Sequence, residues 1–230
     1  MIENASALNM VLTGDPVLFS IVLLSLVVSL SAVLFAALIG VPLGALIALT
    51  QFRGRGPVVI VLNALMGLPP VVVGLSVFLM LSRSGPLGSL GLLFTPEAMV
   101  IAQTVLVTPI IAALARQTIE DLWVEYRDEL DAMDVGPALR VRTLIWDARF
   151  SLVTALLAGF GRAVAEVGAI IIVGGNIQGF TRTMTTAIAL ETSKGELQLA
   201  LGLGIVLLII VVLINAMAWV ARRAGEHFAA

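Results

Sequence analysis

Long apolar stretches, separated by short polar ones, dominate the pattern of residues along this chain. A helix needs about 20 consecutive apolar residues to cross a bilayer, and five stretches reach that length. The pattern therefore predicts an all-α polytopic membrane protein with about five transmembrane helices, forming a single transmembrane domain over residues 1–230. The expected spans are residues 16–50, 57–82, 96–118, 150–173 and 197–220.

Composition supports the membrane class and narrows the possible chemistry. Of the 230 residues, 60% are hydrophobic and 12% are charged, and the mean hydropathy is +1.10. A soluble domain has roughly 45–50% apolar and 25% charged residues, so that class is excluded. The chain has no cysteine, and its one histidine is His227. We therefore expect no catalytic residue and no metal site.

The first residues do not have the composition of a secretory signal. Residues 1–15 contain Glu3 and Asp15 but no Lys or Arg, whereas a signal peptide begins with positive charge. We expect this end to belong to the mature protein. Asp15 and Pro16 are expected to start the first helix, as a capping acid followed by a proline in the first turn.

The second apolar span is interrupted near its middle by Gly67, Pro69, Pro70 and Gly74. Two adjacent prolines remove two backbone donors and disturb the preceding turn, so this helix is expected to be kinked or partly unwound. Irregular backbone at membrane depth is tolerated against protein or a water-lined cavity. The segment is predicted to face a translocation path or a subunit interface. An ordinary proline kink that serves packing is the alternative.

Residues 120–149 form the one long charged stretch in the chain, and we call this stretch the elbow. Apolar residues recur in its first part at helical spacing, and Gly136 with Pro137 then interrupts the pattern. Glycine suits the left-handed end of one helix, and proline suits the first turn of the next. The elbow is predicted to be two short helices at an angle, with an exposed apolar ridge on which another protein docks. The ridge comprises Leu122, Tyr126, Leu130 and Met133.

Two ionisable residues, Arg162 and Glu166, lie inside the fourth apolar span. An unpaired charge there is costly, and a spacing of four allows the two side chains to pair on one helix face. The pair is predicted to line or gate a translocation path, or alternatively to fix helix packing. In the polar segment 174–196, Thr181, Thr183, Thr185 and Thr186 either contact an anion or belong to a plain polar loop.

The distribution of Lys and Arg predicts the orientation, because cytoplasmic loops are richer in both. The poorer side has Arg83, Arg182 and Lys194. With five spans, the elbow and the C-terminus are therefore expected in the cytoplasm and the N-terminus outside the cell. The richer side has Arg53, Arg55, Arg116, Arg127, Arg140, Arg142, Arg149, Arg222 and Arg223.

The chain lacks the phosphate-binding loop that many ATPases use. Its only lysine is Lys194, and no glycine-rich approach precedes it. If ATP drives transport, another chain has to hydrolyse it, and the elbow is where that chain would attach.

The elbow resembles the cytoplasmic coupling loop of ABC-importer permeases, in which a Glu-Ala-Ala motif precedes a glycine and, later, Ile-x-Leu-Pro. Aligned on Gly136, Ala132 occupies the place of the second alanine and Ile145 that of the isoleucine. Leu130 and Asp131 stand in place of Glu and Ala, and Asp147 and Ala148 in place of Leu-Pro. The resemblance implies that the ATPase is contacted by Glu129, Asp131, Ala132, Gly136, Pro137, Leu139 and Ile145.

Further stretches resemble the molybdate, tungstate and sulfate permeases, in the order found in that group. They are residues 68–75 (LPPVVVGL), 84–88 (SGPLG), 161–169 (GRAVAEVGA) and 175–191 (GNIQGFTRTMTTAIALE). Residues 145–163 and 181–195 look most like the tungstate branch. The path or gate is then expected at Pro69, Pro70, Gly74, Arg162, Glu166, Asn176 and Thr183.

The resemblance implies an importer in a prokaryotic cell membrane, with two copies of this chain and two cytosolic ATPase subunits. An extracytoplasmic protein would capture the oxyanion. ATP and Mg would be used by the ATPase partner, and no cofactor would be bound by this chain. A permease for molybdate, sulfate, amino acids or osmolytes is the alternative within transport. A lipid-modifying membrane enzyme and a passive channel are alternatives from other classes.

Overall fold

The computed structural model describes the backbone of residues 16–229 and the side chains of residues 18–220, and within these limits it contains helices but no strand. A short 3-10 turn, Gly88–Leu90, lies between α3 and α4. The helices are α1 Pro16–Leu49, α2 Arg55–Leu65, α3 Pro70–Leu81, α4 Pro96–Ala132, α5 Pro137–Asp147, α6 Arg149–Val164, α7 Gly168–Gly174, α8 Met184–Lys194 and α9 Leu197–Ala229.

The all-α membrane class predicted from the sequence is confirmed. Three segments, Leu18–Leu49, Pro96–Ala132 and Leu197–Val220, are long and apolar enough to cross a membrane, and the number rises to five if each of two bent helix pairs is one span. The expectations for residues 1–15, and for the side chains of Arg222, Arg223 and His227, lie outside the described residues.

The second expected span is two helices, as the prolines predicted. Helix α2 ends at Leu65, and α3 begins at Pro70, with Pro69 in an extended conformation at φ −65° and ψ 121°. A proline at the first helical position needs no hydrogen bond from its nitrogen, so Pro70 starts α3 without an orphaned donor.

The fourth expected span is also broken, and here the prediction of one helix over 150–173 was wrong. Helix α6 ends at Val164, and α7 begins at Gly168. No proline marks this break in the sequence. The backbone can leave the helix here because side chains satisfy the groups that the break exposes.

The chain divides into two compact units. The first unit contains the described parts of Met1–Ala32, Pro69–Gln103 and Gly161–Ala230. The second unit contains Val33–Leu68 and Thr104–Phe160, and so includes the whole elbow.

In the second unit, α1 and α4 approach each other closely at Gly44. A Cβ atom on Gly44 would lie 2.6 Å from the carbonyl oxygen of Ala112 and 2.8 Å from the amide nitrogen of Arg116. Small residues at such positions let helix backbones pack together. The adjoining core cluster consists of Ala45, Ala48, Ala115, Ile119, Leu130, Leu144, Ala148 and Leu152.

The elbow differs from the predicted pair of short helices. Its first helix is the end of the 37-residue helix α4, which continues without interruption to Ala132. The left-handed residue is Asp134, at φ 50°, and not Gly136, at φ −67° and ψ 156°. The reason is Pro137: a residue before proline is forced into extended conformation, so the turn has to place its left-handed residue earlier.

Packing at Gly44 predicts an effect of Gly44→Ala on stability. The added methyl group would collide with backbone atoms of α4, and overpacking of this kind costs about 1–3 kcal/mol. We expect a lower Tm for the purified protein in detergent. Gly204→Ala is the matched control, because a Cβ at Gly204 meets nothing within 4 Å. Equal thermal shifts in the two variants would contradict the close approach of α1 and α4.

Candidate functional site

The elbow is held in shape by one arginine, Arg140 of α5. Its Nη1 lies 2.6 Å from Oδ1 of Asp131, and its Nε donates to the carbonyl of Val135 at 2.5 Å. Its guanidinium carbon also lies 5.6 Å from the ring centre of Trp123. Arg140 therefore joins α5 to the turn and to the end of α4, and the charge-assisted hydrogen bonds fix the angle between them.

A second charged cluster anchors the base of the elbow. Glu120 accepts hydrogen bonds from Arg116, one turn earlier, and from Arg55 at 2.8 Å. Arg55 Nε also donates to the carbonyl of Ile47 at 2.9 Å, near the end of α1. Sequence spacing could have suggested the Arg116–Glu120 pair, but nothing in the sequence linked either residue to Arg55.

The predicted apolar ridge of the elbow largely faces inward. Leu130 is buried, while Leu122 and Tyr126 are half-buried against the core cluster, so the expectation of an exposed ridge was wrong for these residues. Their helical spacing places them toward α5, whose Leu144 is fully buried. Met133 is the one ridge residue that is exposed, at 74%, as predicted. The other exposed large apolar side chains of the elbow are Val124 (78%), Leu139 (53%) and Trp146 (67%).

The residues predicted to contact an ATPase all lie on this elbow, at or near its surface. Glu129, Asp131, Ala132, Gly136, Pro137 and Leu139 are exposed, and Ile145 is half-buried. Gly136 and Pro137 also line a cavity of about 570 Å³ that includes Trp123 and the end of α1. A Cβ atom at Gly136 would meet nothing within 4 Å, so this position has room for a side chain.

In the first unit, Glu166 occupies the break between α6 and α7. Its carboxylate accepts hydrogen bonds from Arg162 Nη1 at 2.7 Å and from the amide of Ala169 at 3.1 Å. Its own carbonyl accepts from the hydroxyl of Thr185 at 2.8 Å. The predicted pairing of Arg162 and Glu166 therefore forms, although Glu166 lies beyond the end of α6 and not on one continuous helix.

These contacts explain how the chain can break here without a proline. Helix ends leave unsatisfied donors and acceptors, which are costly when they are buried. Glu166 satisfies a donor at the start of α7, and the side-chain amide of Gln103 donates to the carbonyl of Ala163 at 2.8 Å near the end of α6. Gln103 is buried, and its role was missed in the sequence because its partner is 60 residues away.

Helix α3 packs closely against α7 beside this break. A Cβ atom on Gly74 would lie 2.7 Å from the Cα of Ala169, and one on Gly168 would lie 3.1 Å from Val71. Gly74 is buried, Pro70 is half-buried and Pro69 is exposed. The structure thus brings the Pro70–Gly74 segment together with the Glu166 break.

Four threonines of the segment 174–196 are buried and form hydrogen bonds within the protein: Thr181, Thr183, Thr185 and Thr186. Thr181 donates to the carbonyl of Gly174 at 2.5 Å, and Thr185 bonds to the carbonyl of Glu166. Thr183 and Thr186 form a capping box that starts α8. Asn176, which is left-handed at φ 52°, donates to the carbonyl of Thr186 at 3.3 Å. These hydrogen bonds hold the loop together.

The Arg162–Glu166 pair predicts a measurable coupling energy. Glu166 is 3% exposed, and the arginine side chain is 31% exposed, so solvent screens the pair only in part. We expect a double-mutant cycle with Arg162→Met and Glu166→Gln, measured by thermal unfolding in detergent, to give about 1–2 kcal/mol. Arg127 and Asp128, an exposed pair at 3.5 Å, are the control and should show almost no coupling. Equal coupling in the two cycles would contradict a structural role for Glu166.

Known proteins similar to this chain are membrane permeases. The chain is 43% identical over 185 residues to a probable anion ABC transporter permease protein of Haloferax volcanii, covering 78% of this chain and 80% of that protein. It is 38% identical over 191 residues to the tungstate uptake system permease protein TupB of Peptoclostridium acidaminophilum, covering 83% and 84%. TupB of Campylobacter jejuni is 40% identical over 146 residues, covering 64% and 61%.

More distant similarity extends to permeases named for molybdenum or sulfate transport, at 27–29% identity. No protein-family model matches the chain. The identities nevertheless extend over most of the chain and most of the first two relatives, and they agree with the apolar helices and the elbow described above. The chain is therefore a multi-pass membrane protein of the ABC transporter permease family.

Proposed function

We propose that this chain is the transmembrane subunit of an ATP-driven importer for an oxyanion, and that the oxyanion is tungstate. Two of the similar permeases carry the name of tungstate uptake, at higher identity than the permeases named for molybdenum or sulfate. The chain forms the translocation path, while an extracytoplasmic protein captures the anion and delivers it.

A separate ATPase supplies the energy in this proposal. The sequence has no phosphate-binding loop, so this chain does not hydrolyse ATP by that route, and ATP and Mg belong to the partner. Two copies of the permease would pair with two ATPase subunits, because two-fold symmetry is the usual arrangement of such assemblies.

The observation that carries this proposal is the exposed apolar surface of the elbow. Met133 and Leu139 are more than half exposed on a charged segment outside the apolar spans. A rigid element that presents large apolar side chains is typical of a docking surface for another protein. We infer that the ATPase covers Leu139 and Met133, with Gly136 and Pro137 at the contact.

The elbow is built to transmit force from such a partner. Arg140 ties α5 to Asp131 and Val135, so α5 cannot rotate without moving the end of α4. Helix α4 then continues unbroken back to Pro96. A displacement of α5 by the ATPase would therefore reach the transmembrane part of α4 as a rigid-body movement, as in other switching transitions.

The gate in this proposal comprises the Pro69–Gly74 segment and the break at Glu166, together with Asn176 and Thr183. Broken helices in transporters commonly lie beside substrate pathways, because the irregular backbone there needs protein or water around it. Arg162 is the fixed positive charge beside the break, and its guanidinium is partly exposed while Glu166 is not. We infer that the passing anion meets Arg162, and that Glu166 holds this side chain in place.

We also propose which side of the membrane the elbow and the two termini occupy. Most Lys and Arg residues that flank the spans lie on the side of the elbow, and that side is cytoplasmic if the usual charge bias holds. The C-terminus is then cytoplasmic and the N-terminus lies outside the cell, in a prokaryotic plasma or inner membrane.

Reconstitution tests the substrate. The permease is placed in proteoliposomes with its ATPase and its extracytoplasmic binding protein, and ATP hydrolysis is measured with tungstate, molybdate or sulfate. We expect tungstate to stimulate hydrolysis at a concentration at least about tenfold lower than the other two, a difference of about 1.4 kcal/mol. Stimulation by molybdate or sulfate alone would overturn the assignment of tungstate. Stimulation by an amino acid would place the chain in another branch of the family.

Substitution of Gly136 tests the docking role of the elbow. Gly136→Asp places a carboxylate in the proposed contact, and an unpaired charge there costs about 2 kcal/mol or more. The ratio of uptake to ATP hydrolysis should therefore fall by about 30-fold. Uptake is measured beside ATP hydrolysis. Gly136→Ala is the control, because a methyl group fits the open space and the negative φ at this position. Unchanged uptake in Gly136→Asp would contradict the docking role.

A further inference from the structure

A groove on the outer side of α5 and the start of α6 belongs to neither the gate nor the α4–α5 turn. It encloses about 570 Å³ and lies entirely within the second unit. Its walls are mainly apolar, and its two charged side chains are both arginines, Arg142 and Arg149. The complete lining is Ala138, Val141, Arg142, Ile145, Trp146, Arg149 and Leu152.

The positive charge of this groove is not neutralised within the described part of the chain. Neither Arg142 nor Arg149 has a carboxylate within ion-pair distance among residues 18–220. The neighbouring acid, Asp147, is exposed and does not line the groove. Arg140, the other arginine of α5, is already paired with Asp131. The groove therefore presents two cationic groups to an external anion.

The orientation of the Arg149 side chain is restricted by two aromatic rings and one backbone carbonyl. Its guanidinium carbon lies 5.1 Å from the ring centre of Trp146 and 4.5 Å from that of Phe150. Its Nη1 donates to the carbonyl of Trp146 at 2.8 Å. Contact with the two aromatic rings restricts the side chain, and the remaining N–H groups of the planar guanidinium are available to bind a phosphate.

The groove also lies where the charged elbow gives way to the apolar helix α6. Helix α5 carries three charged residues, whereas no charged residue occurs between Arg149 and Arg162 in α6. The bend of 70° between the two helices falls within the groove, between Trp146 and Arg149. Exposed tryptophan and arginine at the boundary of an apolar helix are typical of the headgroup level of a bilayer.

We propose that this groove binds an anionic phospholipid. The headgroup phosphate is held by Arg142 and Arg149, and one acyl chain lies against Ile145, Trp146 and Leu152. Basic pockets beside transmembrane helices are suited to such headgroups. A water-soluble protein partner fits less well, because the lining continues past Arg149 onto the apolar helix α6. The lipid would fix the junction between α5 and α6, and this role holds whether or not the chain transports tungstate.

Quenching of Trp146 fluorescence tests the proposal directly. Trp123→Phe and Trp219→Phe leave Trp146 as the single tryptophan of the chain. The purified protein is reconstituted in phosphatidylcholine vesicles that contain either brominated phosphatidylglycerol or brominated phosphatidylcholine. Bromine quenches tryptophan only at short range. We expect the brominated anionic lipid to quench Trp146 at a mole fraction about 30-fold lower than the brominated neutral lipid, roughly fivefold for each arginine.

Arginine substitutions in the same single-tryptophan protein assign the effect to the groove. Arg142→Gln is at an exposed position and should reduce the preference about fivefold, and Arg149→Gln should do the same. If Arg149→Gln does not fold, Arg142→Gln alone decides. Arg127→Gln is the matched control, because Arg127 is an exposed arginine of the elbow that lies outside the groove. This control should leave the preference unchanged.

Three results would overturn the lipid site. Equal quenching by the two brominated lipids would mean that the groove does not distinguish headgroups. An equal loss of preference in Arg127→Gln would mean that the vesicle surface attracts the elbow as a whole. Unchanged quenching in Arg142→Gln, combined with loss of ATPase co-purification, would assign the groove to the protein partner.

Discussion

A backbone group that loses its helical partner in an apolar span has to find another partner inside the protein, because lipid offers none. The break at residues 165–167 shows how this chain meets that constraint. Glu166 accepts from the start of α7, Gln103 donates to the end of α6, and Thr185 donates to the carbonyl of Glu166. Each of the three side chains is buried, so the irregular backbone is fixed by protein contacts.

The break between α2 and α3 meets the same constraint in another way. Pro70 has no donor to lose, and Pro69 is extended as the residue before a proline must be. Glycine and alanine then allow α3 and α7 to pack closely, with Gly74 against Ala169. Polar side chains and glycines thus act together in the first unit. The side chains satisfy the backbone, and the glycines make the close packing possible.

In the second unit, the local structure is fixed by ion pairs and not by the need to satisfy backbone groups in an apolar environment. Arg140 and Glu120 each make several polar contacts, and both are close to the point where α4 becomes polar. They hold the elbow as a fixed shape on an alanine-rich core. A fixed shape suits the coupling role that we propose for the elbow, since a flexible loop would absorb the movement of a partner. The arginines of the α5–α6 groove differ from Arg140 because neither has an acidic partner among residues 18–220.

The sequence by itself determined the membrane class, the apolar spans, the interruption at Pro69 and Pro70, and the start of α5 at Pro137. These features follow from local chemistry. The length of an apolar stretch shows whether it can cross a membrane, and a proline lacks a backbone N–H group wherever it stands. Only the tertiary structure decided that the chain breaks at Glu166, that Leu130 faces inward and that the four threonines form hydrogen bonds within the protein. The break depends on partners distant in sequence, Gln103 with Ala163 and Thr185 with Glu166. The burial of Leu130 depends on packing against residues such as Ala45 and Leu144. The threonine contacts depend on how the loop folds back on itself. A spacing of four could predict the Arg162–Glu166 pair, but it could not predict that the helix would end between them.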